Sequence, residues 1–151
     1  MHTTPGLRAP FVIRLRGRIP QPASYPASPR TLGDHLKSAR FDRGIPQKDA
    51  ARAIGCGPLT FLHWEKARVA PGVRFWPVIL RFLGYDPRPE PGAFGGRIRA
   101  AREAEGLSER ELARKLGLAP DTLSAWERGE MSPAYSRTWW LFDRYLASVE
   151  T

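Results

Sequence analysis

The chain repeats itself. Sliding the sequence by 62 residues lays residues 32–71 on residues 94–133 without a gap, and twelve of the 40 pairs are identical. They include Gly33/Gly95, Arg40/Arg102, Gly44/Gly106, Gly55/Gly117, Pro58/Pro120, Trp64/Trp126 and Glu65/Glu127. Conservative pairs such as Leu36/Ile98, Ile45/Leu107 and Ile54/Leu116 fill the apolar positions between them. Chance is a poor explanation for an ungapped match of this kind. Each copy is therefore expected to form one supersecondary unit.

Within each copy the punctuation predicts short helices. Phe94, Ile98 and Ala101 recur at the four- and three-residue spacing of one helical face, and Gly106 ends that helix. Ser108 with Glu111 three residues on forms a capping box for a second helix that Gly117 ends. A third begins near Pro120, buries Leu123 and Trp126 and stops at Gly129. The first copy repeats the scheme over 32–43, 46–54 and 58–66, its second helix starting at Pro46. Fourth helices follow: Pro77 to Gly84 with Ile79, Leu80 and Leu83 inward, and 138–148 with Trp139, Phe142 and Leu146 on one stripe. Trp64, Trp76, Trp126 and Trp139 are expected in the cores, and Trp140 falls off the stripe.

Four segments result. Residues 1–31 form a basic, proline-rich N-terminal arm; 32–84 are unit 1; 85–93 alternate proline and should run as a stiff linker; 94–151 are unit 2. Within the arm, 13–18 alternates apolar and basic side chains, but a lone strand has nothing to pair with, so an irregular arm is the favoured reading.

Charge follows this division. The chain carries 24 Lys+Arg against 15 Asp+Glu, a net +9 that favours a polyanionic partner, nucleic acid before membrane. Arg8, Arg14, Arg16, Arg18 and Arg30 give residues 1–31 their +5. Unit 1 adds another +5, the linker is −1 and unit 2 balances nine bases against nine acids. The excess sits entirely in the first half.

A helix, a glycine-containing turn and a short second helix make the helix-turn-helix pattern. Gly106-Leu-Ser-Glu-Arg-Glu-Leu-Ala-Arg-Lys-Leu-Gly117 and Asp121-Thr-Leu-Ser-Ala-Trp-Glu-Arg-Gly129 resemble the lambda-repressor-like, Xre-type DNA-binding domain of bacterial and phage regulators. So do Gly44-Ile-Pro-Gln-Lys-Asp-Ala-Ala-Arg-Ala-Ile-Gly55, Trp64-Glu-Lys66 and the fourth-helix stretch from Arg74 to Gly84. Ala67 stands where the pattern of the family ends in glycine. The resemblance implies an all-α fold of two tandem units of four to five helices each. It also implies sequence-specific binding of double-stranded DNA by a cytoplasmic, nucleoid-associated transcriptional regulator, with no cofactor.

The resemblance further implies that 58–66 and 120–128 enter the major groove. Helical spacing then makes Leu59, Leu62 and His63 the base-contact candidates in unit 1, and Asp121, Ser124 and Ala125 those in unit 2. These are weak readers beside Arg on guanine or Asn on adenine, each worth about 1 to 3 kcal/mol of discrimination. Phosphate-contact candidates are Gln47, Lys48, Arg52, Thr60, Lys66, Arg68 and Arg74 in unit 1, and Arg110, Thr122 and Arg128 in unit 2. Gln47 opens the second helix, where the family touches phosphate; its counterpart Glu109 would repel it. Unit 1 is thus expected to be the principal DNA-binding unit. Structural ion pairs Arg40–Glu65 and Arg102–Glu127, tying the first helix to the third, are also implied by the resemblance.

A second reading stays open. Unit 2 could have exchanged DNA for a protein partner, as in an antitoxin-like adapter, with the Glu103, Glu105, Glu109 and Glu111 run as the contact. An enzyme is disfavoured, because no nucleophile-base pair or phosphate-cradling glycine loop appears; Gly92 to Gly96 lacks the spacing of a nucleotide fingerprint. No metal site is expected from His35, His63 and the single Cys56, which excludes an internal disulfide. No apolar run approaches the roughly 20 residues of a membrane span, and no signal-peptide core is expected at the start. The oligomeric state is left open.

Overall fold

The computed structural model describes residues 22–131 and 139–149. The expected arm up to residue 21, with its alternating 13–18 stretch, lies outside the described residues, as does the side chain of Trp139. Among the described residues the fold is all-helical, with eight α-helices and no strand. In chain order these are α1 (Leu32–Asp42), α2 (Gln47–Ile54), α3 (Pro58–Glu65), α4 (Trp76–Leu83), α5 (Phe94–Ala104), α6 (Glu109–Leu116), α7 (Pro120–Glu127) and α8 (Trp139–Val149). A single 3₁₀ turn, Val73–Phe75, leads into α4.

Two hydrophobic cores organise these helices. Leu36, Ile54, Phe61, Trp64, Ile79 and Leu83 form the first, and Ile98, Leu112, Leu123, Trp126, Phe142 and Tyr145 the second. Trp76 is only half-buried, packed against the edge of the first core, and Leu80 is half-buried too. Trp140 is exposed. In the second core Trp126 meets Phe142 edge-on, with ring centroids 4.6 Å apart. Aromatic pairs in this geometry add to the stabilisation given by area burial alone.

The helix ends follow from their cap residues. Thr31 and Asp34 form a reciprocal capping box on α1, and Ser108 and Glu111 form one on α6. Their capped backbone donors hold both carboxylates below the usual range; for Asp34, partial desolvation opposes this and is outweighed. Pro46 is not the first helical residue of α2 but its N-cap: its ψ of 162° is extended, so the helix begins at Gln47. Gly55, Gly84 and Gly117 close α2, α4 and α6 in the left-handed region that glycine enters without steric cost.

α3 ends differently. Ala67 is the one non-glycine residue at positive φ among the described residues, at 50°, where its counterpart Gly129 lies at 73°. The left-handed region costs an L-residue about 1 to 2 kcal/mol, more than the chain entropy that glycine adds to the unfolded state. Ala67→Gly is therefore expected to stabilise the protein by about 0.5 to 1 kcal/mol, read as a higher urea midpoint at unchanged slope. A lower midpoint would contradict this backbone geometry.

The segment before α1 is not wholly irregular. Tyr25 packs on Phe41, with ring centroids 6.1 Å apart, and its hydroxyl donates to Asp42 Oδ1 at 3.0 Å. Tyr25, within the expected arm, is thus tied to the end of α1, while Thr31 caps its start.

Candidate nucleic-acid interface

α3 packs against both α1 and α2, and α7 against both α5 and α6. The helices in each half are fixed by a buried ion pair and a glycine. Arg40 Nε lies 2.7 Å from Glu65 Oε1, with side chains only 9% and 3% exposed. Arg102 Nε lies 2.7 Å from Glu127 Oε1 and its Nη2 donates to Oε2 at 2.9 Å. Each arginine also donates to the backbone of the turn that follows its helix, Arg40 to the Ile45 carbonyl and Arg102 to that of Leu107. Burial alone would favour loss of the proton from Arg102, but the Glu127 carboxylate prevails and holds it above its ordinary value. Arg99 reaches the same carboxylate at 3.3 Å from the solvent side.

Gly33 and Gly95 explain how the helices come so close. A β-carbon on Gly33 would overlap the carbonyl oxygen of Trp64 and lie 2.7 Å from that of Glu65. On Gly95 it would overlap the Trp126 oxygen and lie 2.9 Å from that of Glu127. Both glycines stand out in the sequence as identical pairs. What the sequence did not reveal is that they form the contact by which the first helix touches the end of the third.

With α3 so placed, Leu59 and Thr60 face solvent, Leu59 at 65% exposure, while Leu62 and His63 are half-buried. In the same half Lys48, Arg52, Lys66, Arg68 and Arg74 are all exposed. Arg52 makes a loose 3.4 Å contact with Asp49, and Arg74 stacks on the Phe75 ring at 4.7 Å. The Gln47 side-chain amide donates to Glu65 Oε2 at 2.6 Å, which leaves its second N–H unused in that bond. Beside it the backbone N–H groups of Gln47 and Lys48 lie at the open end of α2, which has no side-chain cap.

α7 presents a poorer surface. Asp121 is exposed, Thr122 and Ser124 are half-buried, and Ser124 Oγ accepts from Arg128 Nη1 at 2.6 Å. Ala125, expected on the outer face, is buried. α7 is packed by two helices at once, so its covered arc is broad enough to include Ala125 beside Trp126. Arg128 is held in a two-pronged pair by Glu130, at 2.7 and 2.8 Å. Arg110 is exposed, but the neighbouring start of α6 carries Glu109 and Glu111.

Other groups carry less chemistry. Cys56 is half-buried against the first core, and desolvation pushes its thiol above the ordinary value, away from thiolate reactivity. Among the described residues no three His, Cys, Asp or Glu side chains gather as a metal site, and no helix is long and apolar enough to cross a membrane.

A helix-turn-helix family model matches residues 98–137, from within α5 to beyond α7. The chain thus contains a helix-turn-helix domain, a DNA-binding type, and the matched stretch lies in the half with the poorer basic surface. Comparisons with curated proteins and with solved structures gave no match.

Proposed function

We propose that this chain is a sequence-specific double-stranded DNA-binding regulator of bacterial or phage type, built from two tandem helix-turn-helix units. Unit 1 spans residues 32–84, unit 2 spans 94–151, and 85–93 is the linker. The observation that carries the reading is the duplicated frame. In both halves an Arg–Glu pair 25 residues apart and a glycine fix the first helix against the third. The half matched by the helix-turn-helix family therefore has a structural counterpart in the other. α3 and α7 would be the groove-entering helices, with α3 the stronger, because its half exposes Lys48, Lys66, Arg68 and Arg74 while Arg128 is paired with Glu130. Leu59 and His63 would meet base edges, Leu59 against thymine methyls.

Selection of bound sequences from a random duplex pool, followed by affinity against salt, tests this. An enriched motif and a steep salt slope are expected. Lys48→Ala and Arg74→Ala should each reduce the slope by about 1 while weakening all sequences alike, as loss of a phosphate contact does. No enriched motif, with weak binding only at low salt, would sink the reading.

The second reading, a protein partner for unit 2, is favoured by Glu109 and Glu111 at the opening of α6 and by the Arg128–Glu130 pair. It is distinguished in the full chain by Arg110→Ala. A reduced salt slope in that variant supports contact of unit 2 with DNA and counts against the protein partner.

A further inference from the structure

The two cores do not hang on a free linker. Tyr85 is fastened to α1 by a 2.7 Å contact between its hydroxyl and His35 Nδ1, the rings meeting edge to face. Three residues on, Arg88 gathers groups from both halves. Its Nε and Nη2 clasp the Asp86 carboxylate at 2.9 and 2.5 Å, and Nη1 lies 2.6 Å from Glu103 Oε2 on α5. Nη2 also donates to the Ala100 carbonyl of α5 at 3.2 Å, and the guanidinium lies over the Trp76 ring of α4 at 4.7 Å. The side chain is only 19% exposed. Beside it α4 packs directly on α5, and the α5–α6 turn abuts the start of α4: a β-carbon on Gly106 would lie 2.9 Å from Pro77 Cγ.

We propose that Arg88 is a positioning residue that holds the two units in one orientation, so that the protein accepts two DNA half-sites at a single spacing. This rests on the tandem-unit reading. Prolines stiffen the linker and limit its reach, but they leave rotation between the units open. The guanidinium removes that freedom by engaging α4, α5 and the linker together. The arrangement needs arginine: a planar fork can clasp Asp86 with one edge, reach Glu103 with the remaining nitrogen and still stack on Trp76. A lysine ammonium has no planar fork, so it cannot clasp Asp86 through two nitrogens while lying flat on Trp76. Asp86 and Glu103 keep access to water, so loss of Arg88 should leave both units folded.

Two measurements on the full chain test it. Spin labels at Ala53→Cys on α2 and Ala119→Cys before α7, in a Cys56→Ala background, report the inter-unit distance without DNA. Wild type should give one narrow distribution, and both Arg88→Ala and Arg88→Lys should broaden it while circular dichroism stays unchanged. On DNA, the affinity of Arg88→Ala for a duplex carrying both half-sites should fall about 10-fold, with preference among spacings lost and affinity for an isolated half-site unchanged. A distribution as narrow as wild type in Arg88→Ala overturns the orienting role. A broadened distribution with spacing preference intact overturns the role in spacing. If wild type itself enriches no sequence, the DNA reading has failed and the spacing role with it, while the distance distributions still decide whether Arg88 orients the units.

Discussion

Gly95→Ala is expected to destabilise the protein by about 3 kcal/mol or more, a large part of the stability of a small domain. The added methyl would overlap the carbonyl oxygen of Trp126 and sit 2.9 Å from that of Glu127. Both obstacles are backbone at the end of α7, so no side chain can rotate out of the way. α5 would have to withdraw from α7 in an interior packed too densely to absorb the shift. That withdrawal would also stretch the Arg102–Glu127 pair. Gly33→Ala should behave alike in the first half, where the Trp64 and Glu65 oxygens take the same places. The control is Gly92→Ala, at a position with nothing within 4 Å, which should stay within about 0.5 kcal/mol of wild type. Urea unfolding followed by tryptophan fluorescence reads the difference. Equal midpoints for Gly95→Ala and Gly92→Ala would rule out the close approach of α5 to α7.

Glu127→Ala is expected to cost about 3 to 5 kcal/mol, the usual penalty for leaving a buried charge without its partner. The carboxylate is 1% exposed and accepts from Arg102 through both oxygens, with Arg99 adding a third donor. Without it, the Arg102 guanidinium, 8% exposed, keeps only the Leu107 carbonyl. The large number measures an orphaned charge rather than the net worth of the pair. Hence the double variant Arg102→Met with Glu127→Leu should recover most of the loss, and the double-mutant cycle should show strong coupling. Additive costs for the two single changes would mean that the two side chains do not depend on each other.

Much of this frame was legible in the sequence because it is written in local spacing. Glycines after most helices, proline or serine before several and apolar residues at three- and four-residue intervals placed all eight helices to within a residue or two, α8 included, expected at 138–148 and found at Trp139–Val149. The misplacements concern tertiary surroundings. Helical spacing put Ala125 outside, and two flanking helices cover it. Nothing in the sequence showed that the Gln47 amide is engaged by Glu65, 18 residues away. Pro46 fitted the first helical position by type but takes up an extended ψ. Arg88 carried no signal at all: its partners lie on α4, α5 and the linker, and nothing periodic connects them. The candidate site is accordingly less legible than the fold, since spacing can place a residue on a helix but cannot say which neighbour has claimed its side chain.

Glu65 ties the first half together. At the end of α3 it accepts from Arg40 on α1 and from Gln47 at the head of α2, so three helices meet on one buried carboxylate. The surface that α3 shows to solvent is thereby a finished template. The helix itself is already held in place by folding, so a ligand that docks there need not order its backbone again. Differences in affinity between ligands at this face should arise chiefly from how fast they leave, since a rigid surface gives each of them much the same chance of a first productive encounter.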